Sequence, residues 1–497
     1  MMARTMRRIG RRFPDYGWSW PTGKLDQLLK AALLLDEEAA CQCAMRWLDE
    51  NDIDLVSFRE HRLLAAISDR FGRKLAVHAA YPRLVGLQKM LWTKSRMAMR
   101  EAEPALKAMV EAGSAVMLIK GASRIAVDAS AQRGRVAHDI DILVRPQDMV
   151  TAFDVLRDRE WQIATGVSPQ YLRARLLSVR SMNFFKGSFG DIDLHQFGYD
   201  GSQSSADDDS AIWHRAIAAE FSGVSVSVPS PADRIALAIA HGGLDAHTHS
   251  DWLVDCAVAI DGGDVDWDVF LDIAARRGLA VAAAVALSYL ALEIGIAVPE
   301  APLARIVAIA DRAGLSRWSS VLQAKPRTDF GGLVWLSRGF AKQLRLKRKK
   351  GRLRQSAPDI VWRGRSAMPK TKMAPAPFVL SQTIPYPQTT PYLEMTGELM
   401  LEVTVRISVP PVRRRIEMEI NAAGRHVARL RSVAISRSGG ERVLHFRGKV
   451  TLDGASQALV LEARPSRQFR QWDDEATVAT YGALPFQLLS AHFSPLD

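Results

Sequence analysis

The sequence predicts a multidomain α+β protein: a helical N-terminal region, a small sheet-containing core, a helical lobe and a C-terminal antiparallel β-sandwich. Three observations carry that expectation. Apolar residues recur at helical spacing near the start and again after Pro231. Short apolar runs bounded by turn residues interrupt that pattern between Ser114 and Phe197, and beyond Pro391 apolar and polar residues alternate over whole segments. A chain of 497 residues has room for several domains of roughly 100–200 residues each. With 48% hydrophobic and 24% charged residues, a disulfide-stapled miniprotein and a disordered chain are both excluded. The expected boundaries are 1–110 for the helical region, 111–230 for the core, 231–341 for the lobe, 342–390 for a basic Pro-rich linker and 391–497 for the sandwich.

Each element has a local cause. Leu25, Leu28, Leu29, Ala32 and Leu33, and later Leu84, Leu87, Met90 and Leu91, place apolar side chains on one helical face. Ala115–Ile119 is a strand-length apolar run, Lys120-Gly121 a turn, and Ala122–Ser130 a helix. Asp139–Val144, bounded by Pro146, is a second strand run, followed by a helix over Gln147–Arg159. Phe184–Lys186 and Phe189–Phe197 read as strands joined at Gly187-Ser188. Helices are then expected over Asp233–His241, Asp251–Ile260, Trp267–Arg277 and Leu279–Glu293. The most apolar segment, Leu279–Leu292, is too short to cross about 30 Å of hydrocarbon and is expected to be a buried helix. Seven prolines between Ser356 and Pro391 mark the linker. Leu401, Val403, Val405, Ile407 and Val409 alternate with polar residues, Ile416, Met418 and Ile420 repeat the pattern, and turn signals at 421–424, 438–440 and 453–454 complete the sandwich.

Charge is unevenly distributed. The chain has 66 Lys and Arg against 54 Asp and Glu, a net +12. Residues 342–372 hold twelve basic residues and one acid, the first twelve residues hold five arginines, and the remaining 454 sum to −4. The excess therefore belongs to a strap and a tail, which argues against a nucleic-acid partner for the core. Residues 333–354 place Trp335, Leu336 and Phe340 ahead of Lys347–Lys350, a pattern suited to peripheral docking on an anionic membrane; a solvated linker is the plainer alternative. Cys41, Cys43 and Cys256 form no closed disulfide framework and suit a reducing cytoplasm. The arginine-rich start lacks the apolar run of a secretory signal. The expected location is cytoplasmic, with peripheral contact at the inner face of the membrane.

The string Asp-x-Asp occurs at 52/54, 139/141, 191/193, 207/209, 264/266 and 266/268. Asp52 and Asp54 lie between helical patterns, Asp264, Asp266 and Asp268 precede a helix that carboxylates cap well, and Asp207 and Asp209 sit in a Ser- and Asp-rich stretch read as a solvated loop. Asp139 and Asp141 differ, because they open a β-type run. On a strand, residues i and i+2 share a face about 6.6 Å apart, and two such carboxylates repel unless a cation lies between them. Few oxygen ligands of this kind suit Mg²⁺ or Mn²⁺ carrying a substrate phosphate. Asp191, Asp193 and His195 repeat the arrangement. If the two strands are neighbours, Asp193, flanked by Ile192 and Leu194, becomes the third carboxylate, and three carboxylates can hold two metals. His195 reads more simply as a structural hydrogen bonder. Lys120, Gly121 and Ser123 stand at a strand-to-helix turn where free N–H groups accept phosphate. Arg135, four residues before Asp139, is a candidate for a bidentate phosphate contact.

The order Lys120-Gly121, Arg135 to Val144, and Asp193-Leu194-His195 resembles the DNA polymerase β-type nucleotidyltransferase superfamily. Within it the similarity is to a bacterial branch associated with surface polysaccharide pathways. The resemblance covers about residues 80–260. It implies a small mixed sheet, metal ligation by Asp139 and Asp141, acceptor activation aided by Asp193, and a nucleotide loop at Gly121 to Ser123. His138 departs from the small residue common before the first Asp, and Gly121-Ala122-Ser123 replaces a plain Gly-Ser pair. His241-Gly242, Trp252 and Asp255 resemble positions of the following helical lobe that face the base or acceptor.

The function expected is metal-dependent transfer of a nucleoside monophosphate from an NTP, ATP among the candidates, to an acceptor hydroxyl of a sugar phosphate, a glycan precursor or a protein. Protein AMPylation is one form of this activity. A noncatalytic nucleotide- or glycan-binding scaffold at the membrane surface is the alternative from another class, and salt-sensitive RNA modification the third.

Overall fold

Side-chain caps start the N-terminal helices. α1 (Gly23–Leu33), α2 (Glu37–Glu50), α3 (Phe58–Phe71) and the long α4 (Tyr81–Glu111) follow in order. The Asp36 carboxylate accepts the backbone N–H groups of Glu38 and Ala39 ahead of α2, and Ser57 accepts that of Arg59 ahead of α3. Asp52, from the first Asp-x-Asp pair, accepts the N–H of Asp54 at a single 3₁₀ turn. The computed structural model describes residues 15–163, 173, 176, 180–199, 206–246, 251–326, 340, 381–385, 397–409, 415–422, 425–434, 440–452, 458–465 and 484–495. The chain divides into two compact units, Met1–Glu160 with Asn183–Lys349, and Trp161–Met182 with Lys350–Asp497. Among the described residues the fold is mixed α/β, with thirteen α-helices, one mixed seven-stranded sheet and two small antiparallel sheets near the C-terminus.

The sheet is built from β1 (Val116–Leu118), β2 (Ile140–Val144), β3 (Gln162–Ile163), β4 (Ser181–Lys186), β5 (Gly190–His195), β6 (Ile217–Phe221) and β7 (Val224–Val228), in the order β3-β4-β5-β2-β1-β7-β6. Helices α5 (Lys120–Val127), α6 (Met149–Asp158) and α7 (Ala206–His214) are threaded between the strands. β2 is central. It runs antiparallel to β1, with Val116 opposite Val144 and Leu118 opposite Ile142, and parallel to β5, with Asp141 opposite Asp193 and Leu143 opposite His195. β2 begins at Ile140, one residue later than the sequence suggests, so Asp139 lies in the bend before the strand.

The β6–β7 hairpin is missing from the sequence expectations. Its signal is present in Val224, Val226 and Val228 alternating with Ser225 and Ser227 after a Ser222-Gly223 turn. Both turn residues have positive φ, 50° and 79°, as a two-residue hairpin turn requires. β7 then pairs parallel with β1, Met117 opposite Ser227. The stretch holding Asp207 and Asp209, expected as a solvated loop, is instead helix α7. Asp209 is buried there and pairs with Arg277 at 2.7 Å, and that guanidinium lies 3.7 Å over the Tyr199 ring. A paired carboxylate is the condition under which such a residue is buried.

The lobe consists of α8 (Pro231–Ala238), which continues into a π-helical turn over Ile239–Ala246, then α9 (Asp251–Asp261), α10 (Trp267–Arg276), α11 (Ala280–Tyr289), α12 (Glu300–Asp311) and α13 (Leu315–Ala324). Asp266 caps α10 by accepting the Val269 N–H. Every residue of α11 is buried, and no helix among the described residues is long and apolar enough to cross a membrane. One hydrophobic cluster joins Leu28, Leu29, Trp47 and Leu63 of the N-terminal helices to Ile235, Phe270, Leu287 and Ile306 of the lobe. Trp20 donates its indole N–H to Ser288 and Tyr289 donates its hydroxyl to Asp26. At about 1.5–3 kcal/mol for each large apolar side chain buried, this shared core outweighs the intrinsic propensity of any one helix.

In the second unit, β8 (Ser381–Pro385), β10 (Arg415–Ala422), β11 (Arg425–Ala434) and β13 (Ala458–Pro465) form a sheet in the order β11-β10-β13-β8. β9 (Gly397–Val409), β12 (Gly440–Leu452) and β14 (Phe486–Pro495) form another in the order β12-β9-β14. Alternate residues of both sheets, among them Leu401, Val403, Val405, Met418, Ile420, Leu430, Phe446 and Leu461, fill one apolar cluster. β8 falls inside the stretch 342–390 that composition marks as linker. The remainder of that stretch, and the basic strap 333–354 except residue 340, lie outside the described residues.

Gly242 explains how the π turn fits the lobe. The Trp252 ring lies directly against its Cα, so an added Cβ would overlap the indole. Gly242→Ala is expected to cost about 1–3 kcal/mol through overpacking and to redshift Trp fluorescence, measured by urea titration and emission spectra.

Candidate active site

The turn after β1 delivers the first site residue in an unusual backbone conformation. Lys120 has φ +53°, a left-handed conformation that costs a non-glycine residue about 1–2 kcal/mol, and it opens α5 directly. That geometry aims its ammonium across β2. Lys120 Nζ lies 2.5 Å from Asp141 Oδ1 and 3.9 Å from Asp193 Oδ2. His195 Nε2 lies 3.1 Å from the same Asp141 oxygen and 2.8 Å from Asp193 Oδ2. Asp141, Asp193 and His195 each offer a ligand atom within 4.8 Å of the others, a group able to hold a metal ion.

The β2–β5 register is the cause of this convergence. Asp141 and Asp193 are direct parallel partners, and His195, two residues on, shares the face of Asp193. On the opposite face Ile140, Ile142, Ile192 and Leu194 are fully buried. Asp139, outside the strand, stands apart from the tight group and lines a cleft together with Asp141. Asp139 and Asp141 remain electrostatic neighbours in the cleft, and the strand register adds Asp193 opposite Asp141.

Charge is unbalanced among the carboxylates. Asp139 is raised above the usual carboxylate range, chiefly by the charge of Asp141 and then by burial, against the pull of Lys120 and Arg62. Asp191 is pushed up to about 7 by burial first and then by the charges of Asp139, Asp193 and Asp141. Burial also acts against the charged forms of Lys120 and Asp141, but their mutual attraction prevails, raising the lysine and lowering the carboxyl. Asp193 Oδ1, Asp191 Oδ1 and His195 Nδ1 are buried without a hydrogen-bond partner. Clustered acids with orphaned oxygens fit a divalent cation, and a mixed carboxylate–imidazole donor set accepts Mn²⁺ as readily as Mg²⁺.

The cleft encloses about 800 Å³, open to solvent, and is lined from α3, α5, the bend before β2, β2, α8 with its π turn, and α9. Gly121 and Ser123 line it, as sequence reasoning placed them, but their local roles are now specific. Ser123 donates its hydroxyl to the Lys120 carbonyl at 2.7 Å. Gly121 leaves room for Arg135, since a Cβ there would sit 2.9 Å from the guanidinium carbon.

Arg135, expected to contact phosphate, lines the cleft and is held there by protein carboxylates. Nε and Nη2 each lie 2.9 Å from the Asp255 carboxylate, Nη1 lies 3.0 Å from Asp251 Oδ2, and Nη1 also donates to the Val136 carbonyl. The guanidinium is buried, and it ties the bend before β2 to α9. Burial opposes its charge, yet Asp255 and Asp251 raise its pKa further. Trp252, His241 and Asp255 also line the cleft. Beside Asp139, burial and then the charges of Arg62, Lys94 and Arg135 lower His138 to about 4, so the ring stays neutral against Phe58, centroid to centroid 4.7 Å.

The model of a family described as "Uncharacterised nucleotidyltransferase" matches residues 55–294, a segment that contains the whole cleft and the Asp141–Asp193–His195 group. Over this segment the chain is similar to that nucleotidyltransferase family. No curated protein and no solved structure matches the chain. The match supports a transferase of the nucleotidyltransferase kind.

His195 is the hydrogen bonder that the sequence suggests, to Asp141, and also belongs to the possible metal group, while no local pattern signals Arg62, Arg124 or Arg234, which reach the cleft from three separate helices. Arg135→Ala leaves two buried carboxylates without their main counter-charge and is expected to cost about 3–5 kcal/mol in urea unfolding. Arg135→Lys, which cannot form the fork, is expected to recover only part of that.

Proposed function

We propose that the protein moves a nucleoside monophosphate from an NTP to an acceptor hydroxyl. The acceptor oxygen forms a bond to the α-phosphorus, the bond from that phosphorus to the bridging oxygen breaks, and pyrophosphate leaves. The observation that carries this reading is the convergence of Asp141, Asp193 and His195 on the sheet of a nucleotidyltransferase-family domain. In this reading Asp141, Asp193 and His195, with Asp139 nearby in the cleft, are the residues that would hold Mg²⁺ or Mn²⁺. A bound divalent cation would neutralise phosphate charge and act as a Lewis acid.

The chain's own residues account for the remaining steps. Asp193 is the acceptor for the hydroxyl proton. Lys120 balances the carboxylates and is positioned to meet phosphate oxygens, while Gly121 and Ser123 shape the loop that the nucleotide crosses. Arg135, held by Asp255 and Asp251, fixes the wall of the cleft. Such a mechanism is positioning plus electrostatics, with no covalent enzyme intermediate. For the acceptor, the family resemblance favours a sugar phosphate or glycan precursor, and a protein hydroxyl uses the same chemistry.

Mass spectrometry of products from each of the four NTPs, with Mg²⁺ or Mn²⁺ and candidate acceptors, tests the reading. Asp141→Asn and Asp139→Asn are each expected to lower turnover by at least about 100-fold, and chelation is expected to abolish it. Unchanged turnover in both variants would sink the proposal, and NTP binding without turnover would favour the scaffold alternative. In a thermal melt, a cation at about 100 times its Kd is expected to add about 2.7 kcal/mol of stability to the wild type and little to Asp141→Asn.

A further inference from the structure

The cleft contains more cationic than anionic lining residues: Arg62, Lys120, Arg124, Arg135 and Arg234 against Asp139, Asp141 and Asp255. Three of the five cations have close carboxylate partners, although the Arg62 Nε, like those of Arg124 and Arg234, is buried without a hydrogen bond. Lys120 is held by Asp141, Arg135 by Asp255 and Asp251, and Arg62 by Asp251 at 2.9 Å. Arg124 is held less well. Its one ion pair, to Asp255, is 3.4 Å long, and its Nε is buried without a partner.

Arg234 is the least satisfied. It lies in the first turn of α8, and among the described residues its side chain makes no ion pair or hydrogen bond, with Nε buried and orphaned. The acid whose field reaches it, Asp255, already receives both bonds of the Arg135 fork. Burial accordingly lowers the Arg234 pKa. A cation in the first helical turn is also opposed by the helix dipole. Position, partial burial and lack of a partner all disfavour the charge in the ligand-free fold. A guanidinium kept under those conditions, in the wall of a cleft with a carboxylate cluster, matches a site that is completed by an anion.

We infer that Arg234, with Arg124 facing the same cleft from α5, binds the terminal phosphates of the NTP. This rests on the nucleotidyltransferase reading for the identity of the ligand. The two arginines are binding residues contributed by the sheet core and by the lobe, so the phosphates would bridge the two layers of the first unit. Neither residue carries a motif, since each stands alone in its own helix.

The test uses the full chain and inorganic tripolyphosphate as probe, followed by calorimetry without metal, beside thermal melts and NTP turnover. Arg234→Met is expected to weaken tripolyphosphate binding by about tenfold or more, the range for losing charged hydrogen bonds. Arg124→Met should show a smaller loss and Arg234→Lys should retain part of the affinity. Without probe, the Arg234→Met melting midpoint should equal or exceed that of the wild type, because a half-buried charge with no ion pair has been removed. Tripolyphosphate should raise the wild-type midpoint more than that of the variant. Equal binding by wild type and Arg234→Met would overturn the inference. So would a clear fall in the variant's ligand-free midpoint, which would mean that Arg234 supports the fold. A wild type that turns over NTP but ignores tripolyphosphate overturns the anion site alone. A wild type that binds tripolyphosphate through Arg234 yet turns over no NTP upholds the site and removes the nucleotidyltransferase reading.

Discussion

The structure of the site depends on the parallel pairing of β2 with β5. That register sets Asp141 opposite Asp193 and leaves His195 on the same face. A slip of either strand by one residue would turn its carboxylate toward the apolar side and bring its isoleucine, Ile140 or Ile192, out of the core. The buried isoleucines and leucines of the two strands therefore hold the acids in place as surely as any polar contact, because each large apolar side chain exposed by a slip forfeits about 1.5–3 kcal/mol. Hydrophobic patterning, a property of one face, thus fixes the electrostatics of the other.

Around that pairing the fold places opposing charges in separate, linked groups. Lys120 reaches the carboxylate group only because its backbone turns left-handed after β1, where the strand ends and α5 begins. Arg135 does the corresponding work for the cleft wall, and Gly121 makes its approach possible by lacking a Cβ. Both are examples of a small local constraint serving a longer-range contact: residue 120 meets residues 141 and 193, and residue 135 meets residues 251 and 255. The lobe is an active part of the site, since α9 supplies the acids that hold Arg135, and α8 supplies Arg234.

The helical lobe is in turn held by the first helices of the chain. Trp20 to Ser288 and Tyr289 to Asp26 are contacts over more than 260 residues, set within one continuous apolar cluster. The N-terminal region therefore shares its core with the lobe, and the stability of the cleft follows from both. Net charge takes on a narrower meaning in this arrangement. The basic excess of the sequence lies in the strap and the tail, while the cleft has its own local balance of arginines and aspartates.

By itself the sequence determined the features that depend on short-range pattern. Period-two and helical spacing disclosed most strands and helices, and motif and spacing were enough to nominate Asp139, Asp141, Asp193, Lys120, Gly121 and Ser123 as candidates. Tertiary structure alone decided the rest. Which carboxylates face each other depended on strand order, the duty of Arg135 depended on acids 116 and 120 residues away, and His195 and Arg234 acquired meaning only from neighbours on other elements. The physical reason is the same in each case: a charged group's role is set by its burial and by the charges within a few ångströms, and neither quantity is written in the residues next to it in sequence.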